Sequence, residues 1–269
     1  PWDFSYYSEK LKNEKYSINE ELTKPYFKLE NVQKGVFDLA TRLYGITFKE
    51  VNNIPLYHPE VKTYEVYDND GSFLAVLYTD FFPRESKGGG AWMTQFRGQK
   101  IVNGKDQRPL VSLVMNFTKP TDTKPSLLTF NEVTTFLHEF GHALHGMFSK
   151  CTYGSTSMDG VSRDFVELPS QFMENFALEK EWLDTWAVHY QTGEKIPQEY
   201  IDKIKKSSNF QAGYASDRQL SFGMVDMAWH TITEPVTEPL VDFEQRAMGK
   251  TEIMPLVKGS AFSPAFGHI

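Results

Sequence analysis

Cysteine is almost missing from this sequence: Cys151 stands alone among 269 residues. No intrachain disulfide can form, so the fold does not lean on an oxidising compartment. No apolar run reaches the ~18 residues of a membrane-spanning helix. An excess of positive charge is also absent. The formal net charge is −7, which argues against nucleic acid and anionic membrane surfaces as main partners. The opening, PWDFSYYSEK, has neither the basic n-region nor the apolar h-region of a signal peptide. It lacks an initiator Met, and the close at SPAFGHI is abrupt, so both ends are expected to be cut from a longer protein. The expected location is cytoplasmic. The periplasm is the alternative, because a periplasmic protein can do without disulfides.

What is present is ordinary for a soluble globular chain: 40% hydrophobic and 23% charged residues. Aromatics, at 14%, suit a core or a substrate cleft. Residues 3 to 16 read as helix, and Ser17 with Glu20 forms an S-x-x-E capping pattern for the next segment. Val32, Val36, Ala40 and Leu43 recur at helical spacing before the stop at Gly45. From 57 to 118 the pattern is β-rich, with a hairpin signal at Asp70-Gly71 and strand candidates in GAWMTQF and LVSLVMNF. After 125 the chain reads as helical, including one long helix across DFVELPSQFMENFALEKEWLDTWAVHYQTG. The expected fold is mainly α with a small antiparallel β-sheet (α+β). It is read as a single catalytic-domain fragment, 1–269: 1–56 helical, 57–118 the sheet region, 119–269 helical with the site.

The chemistry concentrates in TFLHEFGHALHGMF, residues 135 to 148, behind a Thr129–Glu132 capping box. Positions i and i+4 share a helix face, so His138 and His142 can converge on one metal ion. Glu139, one residue on, can hold a water without being a ligand; this is the logic of H-E-x-x-H. Ordinary residue frequencies produce that pattern by chance in a chain this long in roughly one case in a hundred. A metal site therefore outweighs a core helix with idle histidines. Zinc held by two imidazoles and one carboxylate keeps a fourth position open for catalysis.

The third ligand is expected from a second segment. Glu167, 25 residues after His142, is preferred, while Glu174 and Glu179 stay available. Asp164 and Gln171, one turn either side of Glu167, are candidate hydrogen-bond partners for the ligating histidines. His145 reads as packed or supporting, since a fourth protein ligand would close the site. His58, His189 and His230 read as structural. Gly88 to Gly90 and the glycines of YGSTSMDG could form loops that close over substrate, or plain turns. A sheet edge near 109 to 117 could pair with an extended peptide.

FLHEFGHALHGMF followed by RDFVELPSQFMEN resembles the thimet oligopeptidase and peptidyl-dipeptidase family of zinc metallopeptidases. HGMF with RDFVELPSQ is more similar to the bacterial peptidyl-dipeptidase branch than to the oligopeptidase A branch. PWDFSYYSEK, GGGAW and SAFSPAFGHI fit the same family, so the resemblance covers nearly the whole chain. It implies a gluzincin-type catalytic domain with one Zn2+ held by His138, His142 and Glu167, and Glu139 as general base. It implies short peptides as substrates, cut to release C-terminal dipeptides, with endo-acting oligopeptidase action as the alternative. His268 matches a substrate-contacting histidine of the family. The family's Gly- and Tyr-rich motif follows that histidine and lies beyond Ile269. An isolated 1–269 segment is therefore expected to be weak in catalysis even with zinc bound.

Overall fold

The computed structural model describes residues 2–251, 253–254 and 257–267. The chain divides into two compact units, residues 20–201 and residues 1–19 with 202–269.

In chain order the helices are α1 (Phe4–Tyr16), α2 (Glu20–Thr23), α3 (Leu29–Tyr44), α4 (Phe130–Phe148), α5 (Leu168–Glu174), α6 (Lys180–Leu183), α7 (Gln198–Ser207), α8 (Ala212–His230) and α9 (Leu240–Met248). The strands are β1 (Thr47–Val51), β2 (Lys62–Tyr67), β3 (Phe73–Asp80), β4 (Trp92–Arg97), β5 (Lys100–Val102), β6 (Lys105–Gln107) and β7 (Leu110–Val114). Ser17 does not cap a following helix; it adopts a left-handed conformation, φ 52°, and ends α1. Gly45 ends α3 at φ 76°, a conformation that glycine reaches without steric cost.

The larger unit holds a five-stranded sheet ordered β1-β2-β3-β7-β4, with β5 and β6 as a separate hairpin. The expected antiparallel sheet is in fact mixed, because β3 and β7 run parallel. After β3 the chain crosses to the far edge, forms β4 there, and returns through β7 into the space between. Each strand's own alternation says nothing about that order. β7, in the 109 to 117 stretch offered as a possible edge, is therefore interior, and the edge strands are β1 and β4.

Helices α3 and α4 bury their apolar stripes in the core with this sheet: Val32, Val36 and Ala40 of one, Phe136, Phe140 and Met147 of the other, with Leu77 and Leu113 from the strands. The long helix expected across 164 to 193 is broken. It consists of α5, a short 3-10 turn over Asn175–Leu178, α6, and a bridge between Val188 and Lys195. Trp182 donates its indole N–H to the carbonyl of Gly35, at 2.9 Å, and Trp186 packs against the same glycine.

At the end of β3, the buried Asp80 carboxylate accepts from Arg84 (2.9 and 3.0 Å), Lys87 (2.9 Å) and Tyr57 (3.0 Å). Lys87 also donates to the carbonyls of Asp80 and Phe82, so every proton of its ammonium is used. Burial pushes the Asp80 carboxyl up, but the Arg84 and Lys87 hydrogen bonds and charges outweigh it and hold the group below its ordinary value. Burial also pushes the Tyr57 hydroxyl up to about 12. Because the folded-state pKa of Asp80 is depressed, its stabilisation is present above about pH 4 and is lost as pH falls through the folded value. Asp80→Asn should flatten the acid limb of stability against pH, read by denaturant unfolding between pH 3 and 7. An unchanged acid limb would show that other carboxylates set it.

In the smaller unit, Phe4 packs on Tyr214 and Ser8 donates to Gln211 at 2.6 Å, joining α1 to the start of α8. The buried Glu244 accepts from the amides of Phe262 and Ser263, and Trp229 donates to the Ser263 hydroxyl.

Candidate metal centre

Helix α4 begins with a complete capping box: Thr129 Oγ1 accepts from the Glu132 amide and the Glu132 carboxylate from the Thr129 amide. That start sets the phase of the helix, so His138, Glu139 and His142 emerge where the next segment packs. Gly141 permits the closeness. A Cβ there would lie 2.4 Å from the Pro169 carbonyl oxygen and 2.6 Å from Ser170 Cα. Gly141→Ala should therefore lower thermal stability by about 1–3 kcal/mol through overpacking. Helix propensity alone favours alanine by about 1 kcal/mol, so a lowered melting temperature isolates the clash.

Glu167 is not inside a second helix; it is the residue before α5, which starts at Leu168-Pro169. There its Oε2 lies 3.2 Å from His138 Nε2 and 3.1 Å from His142 Nε2. These three side chains form the metal-competent cluster found among the described residues. The fit to zinc can be tested on the spacing. Bonds of about 2.0–2.2 Å to a tetrahedral ion place donor atoms roughly 3.3–3.5 Å apart, close to the separations here. The donor set, two imidazoles and a carboxylate, is also one that zinc takes.

The surrounding groups set charge and orientation. Burial raises the proton affinity of Glu167, but the Ser170 hydrogen bond and the charges of His142 and His138 reverse it, and its pKa falls below the ordinary value. The Ser170 hydroxyl donates to Glu167 Oε2 at 2.8 Å. Burial lowers the pKa of His142 against the pull of Glu167, which favours the neutral imidazole a metal needs. Glu139 is 8% exposed. Burial raises its pKa, and His138 and the Met93 amide only partly oppose this. A carboxylate so placed is a stronger base than one in water.

His138 Nδ1 lies 2.6 Å from Glu174 Oε1. The place expected of Asp164 or Gln171 thus belongs to Glu174. Asp164 and Gln171 are exposed and hydrogen-bond to neither ring. A signal for Glu174 exists in the sequence: it follows Glu167 by seven residues, two helical turns, on the same face. Glu179 immediately precedes α6 and is not in the cluster. His145 is half-buried, and burial lowers its pKa. His58, His189 and His230 have local partners in Glu60, in Gln191 with Thr192, and in Asp226. Asn116 donates to the carbonyls of Gly88 and Gly90, tying that loop down. His268 lies outside the described residues.

Among the described residues no helix is long and apolar enough to cross a membrane. The sequence model for peptidase family M3 matches residues 1–269. The chain is 42% identical over 271 residues to a dipeptidyl carboxypeptidase of Salmonella typhimurium, covering 100% of this chain and 40% of that protein. It is 40% identical over 276 residues to oligopeptidase A of Escherichia coli, again 100% of this chain and 40% of the relative. An organellar oligopeptidase A of Arabidopsis thaliana is 41% identical over 276 residues, 100% of this chain and 35% of that protein. The chain thus spans about two fifths of the length of these relatives.

Proposed function

This chain belongs to peptidase family M3, and from that membership and the geometry above we propose that it carries the zinc centre of a peptidase acting on short peptides. The observation that carries the reading is the convergence of His138 Nε2, His142 Nε2 and Glu167 Oε2. In this reading those residues hold one ion, and residues 1–269 act as one catalytic region. A zinc ion held there supplies Lewis-acid polarisation of the scissile carbonyl and brings the deprotonation of water near neutral pH.

The protein's own part is proton movement and positioning. Glu139 receives the proton of the attacking water on its carboxylate and passes it to the leaving nitrogen. Its burial keeps bulk water from competing for that proton. Glu174 fixes the ring of His138 through Nδ1. The free edge of β4 runs beside α4, with the Met93 amide near Glu139. An extended peptide pairing with that edge would be recognised mainly through its backbone, which tolerates varied side chains. His268 is assigned to substrate binding by family resemblance.

Release of C-terminal dipeptides is the specific outcome proposed. The endo-acting alternative draws support from the nearly equal identity to the two kinds of named relative, 42% and 40%. Fluorogenic peptides with free and amidated C-termini separate the two readings. Dipeptide release spares the amidated series, whereas endo-cleavage cuts both. Metal analysis of the intact protein should give one zinc per chain; a metal-free, fully active preparation would sink the proposal.

A further inference from the structure

Among the buried side-chain polar atoms without a hydrogen-bond partner are Nδ1 of His142 and Oε1 of Gln95. Burying such atoms unpaired is costly, and native structures rarely leave them so. Gln95 stands on β4 two residues from Met93, and alternate strand residues share a face. The Met93 amide approaches Glu139, and a Cβ at position 146 would lie 3.2 Å from Gln95 Oε1. Positions 139, 142 and 146 share one face of α4 by their spacing of three and four. The strand therefore passes over that face from Glu139 to Gly146, and His142 lies between these two points.

Two further features aim Gln95. The register of β4 against β7 slips between Gln95 and Arg97, a bulge of the kind that redirects side chains. The Gln95 amide nitrogen donates to Asp159 Oδ1 at 2.8 Å. An ionised carboxylate only accepts, so the nitrogen must face Asp159 and the amide oxygen must face α4. His142 has the complementary need. Its Nε2 faces Glu167, and a ligating Nε2 carries no proton, so the proton sits on Nδ1 and requires an acceptor. His138 has Glu174 for this purpose.

We propose that Gln95 is the positioning residue for His142: its amide oxygen, held by Asp159, takes the Nδ1–H of His142 through one water, fixing ring and tautomer. The inference rests on the metal-centre reading above.

The test is zinc affinity of the intact protein by chelator competition, with nitrogen-15 NMR of the histidine rings. Gln95→Leu should weaken zinc about 10- to 100-fold, leave the melting temperature of the metal-free protein unchanged, and mix the tautomers of His142. The paired swap Gln95→Glu with Asp159→Asn keeps the interaction between the two side chains and restores an acceptor, so affinity should return. Unchanged affinity in Gln95→Leu, a tautomer change confined to His145, or failure of the swap to restore binding would each overturn the proposal. If Gln95→Leu also lowers the metal-free melting temperature, the swap alone decides. His142→Ala serves as control. Undiminished zinc binding there condemns the metal-centre reading itself, whereas its loss there with no effect at Gln95 condemns only this inference.

Discussion

Glu139→Gln should lower peptide hydrolysis by the intact protein about 10²- to 10⁴-fold, the range that positioned general acid–base groups supply. Zinc content should stay the same, because Glu139 is not in the cluster of converging donor atoms. The amide keeps the shape of the carboxylate but can neither take a proton from water nor return one to the leaving nitrogen. Folding should not suffer. Burial raises the pKa of Glu139, so folding carries a penalty for its charged form. A neutral side chain there removes that penalty, and the metal-free variant should melt no lower than the parent. The pH profile carries the same sign. A raised pKa means the base is lost at a higher pH than an ordinary glutamate would be, so the acid limb of kcat/KM should lie above that of an ordinary glutamate. A Glu139→Gln variant with full turnover would remove the residue from the mechanism.

Glu167→Ala should abolish stable zinc binding, and with it activity. Structural zinc sites bind with about 10–16 kcal/mol across four ligands, so one ligand accounts for about 3 kcal/mol, a hundredfold or more in affinity. The three-ligand centre has no spare donor among the described residues: Glu174 is taken up by His138 Nδ1, and Glu179 lies outside the cluster. Removing the carboxylate also leaves two imidazoles without the charge that offsets the dication. Isothermal titration of the metal-free protein reads this directly. Asp164→Ala and Gln171→Ala are the matched controls on either side of Glu167 and should titrate like the parent, since both are exposed and touch neither ring. One tightly bound zinc in Glu167→Ala would mean that another carboxylate completes the centre.

Much of the site is legible in the sequence because its chemistry is local. The capping box at Thr129 and the i, i+4 histidines depend only on the geometry of one helix, and α4 carries them as expected. Glu167 is different. Spacing alone leaves it beside Glu174 and Glu179, and family resemblance raises it above them. Only in the fold does the residue before α5 meet both rings, across the notch that Gly141 leaves open. Glu174 stands on the same face two turns on, yet its place behind His138 depends on how α5 lies against α4.

Helical periodicity, turn glycines and the H-E-x-x-H spacing act over a few residues, so the sequence by itself determined α3, α4, the β2–β3 hairpin and the placing of His138 and His142 one turn apart on α4. The strand order that puts β4 at the edge, the breaks after α5, and the pairing of Gln95 with Asp159 were decided by tertiary structure alone. Each joins segments far apart in the chain, and packing two distant surfaces is a property of neither segment taken singly.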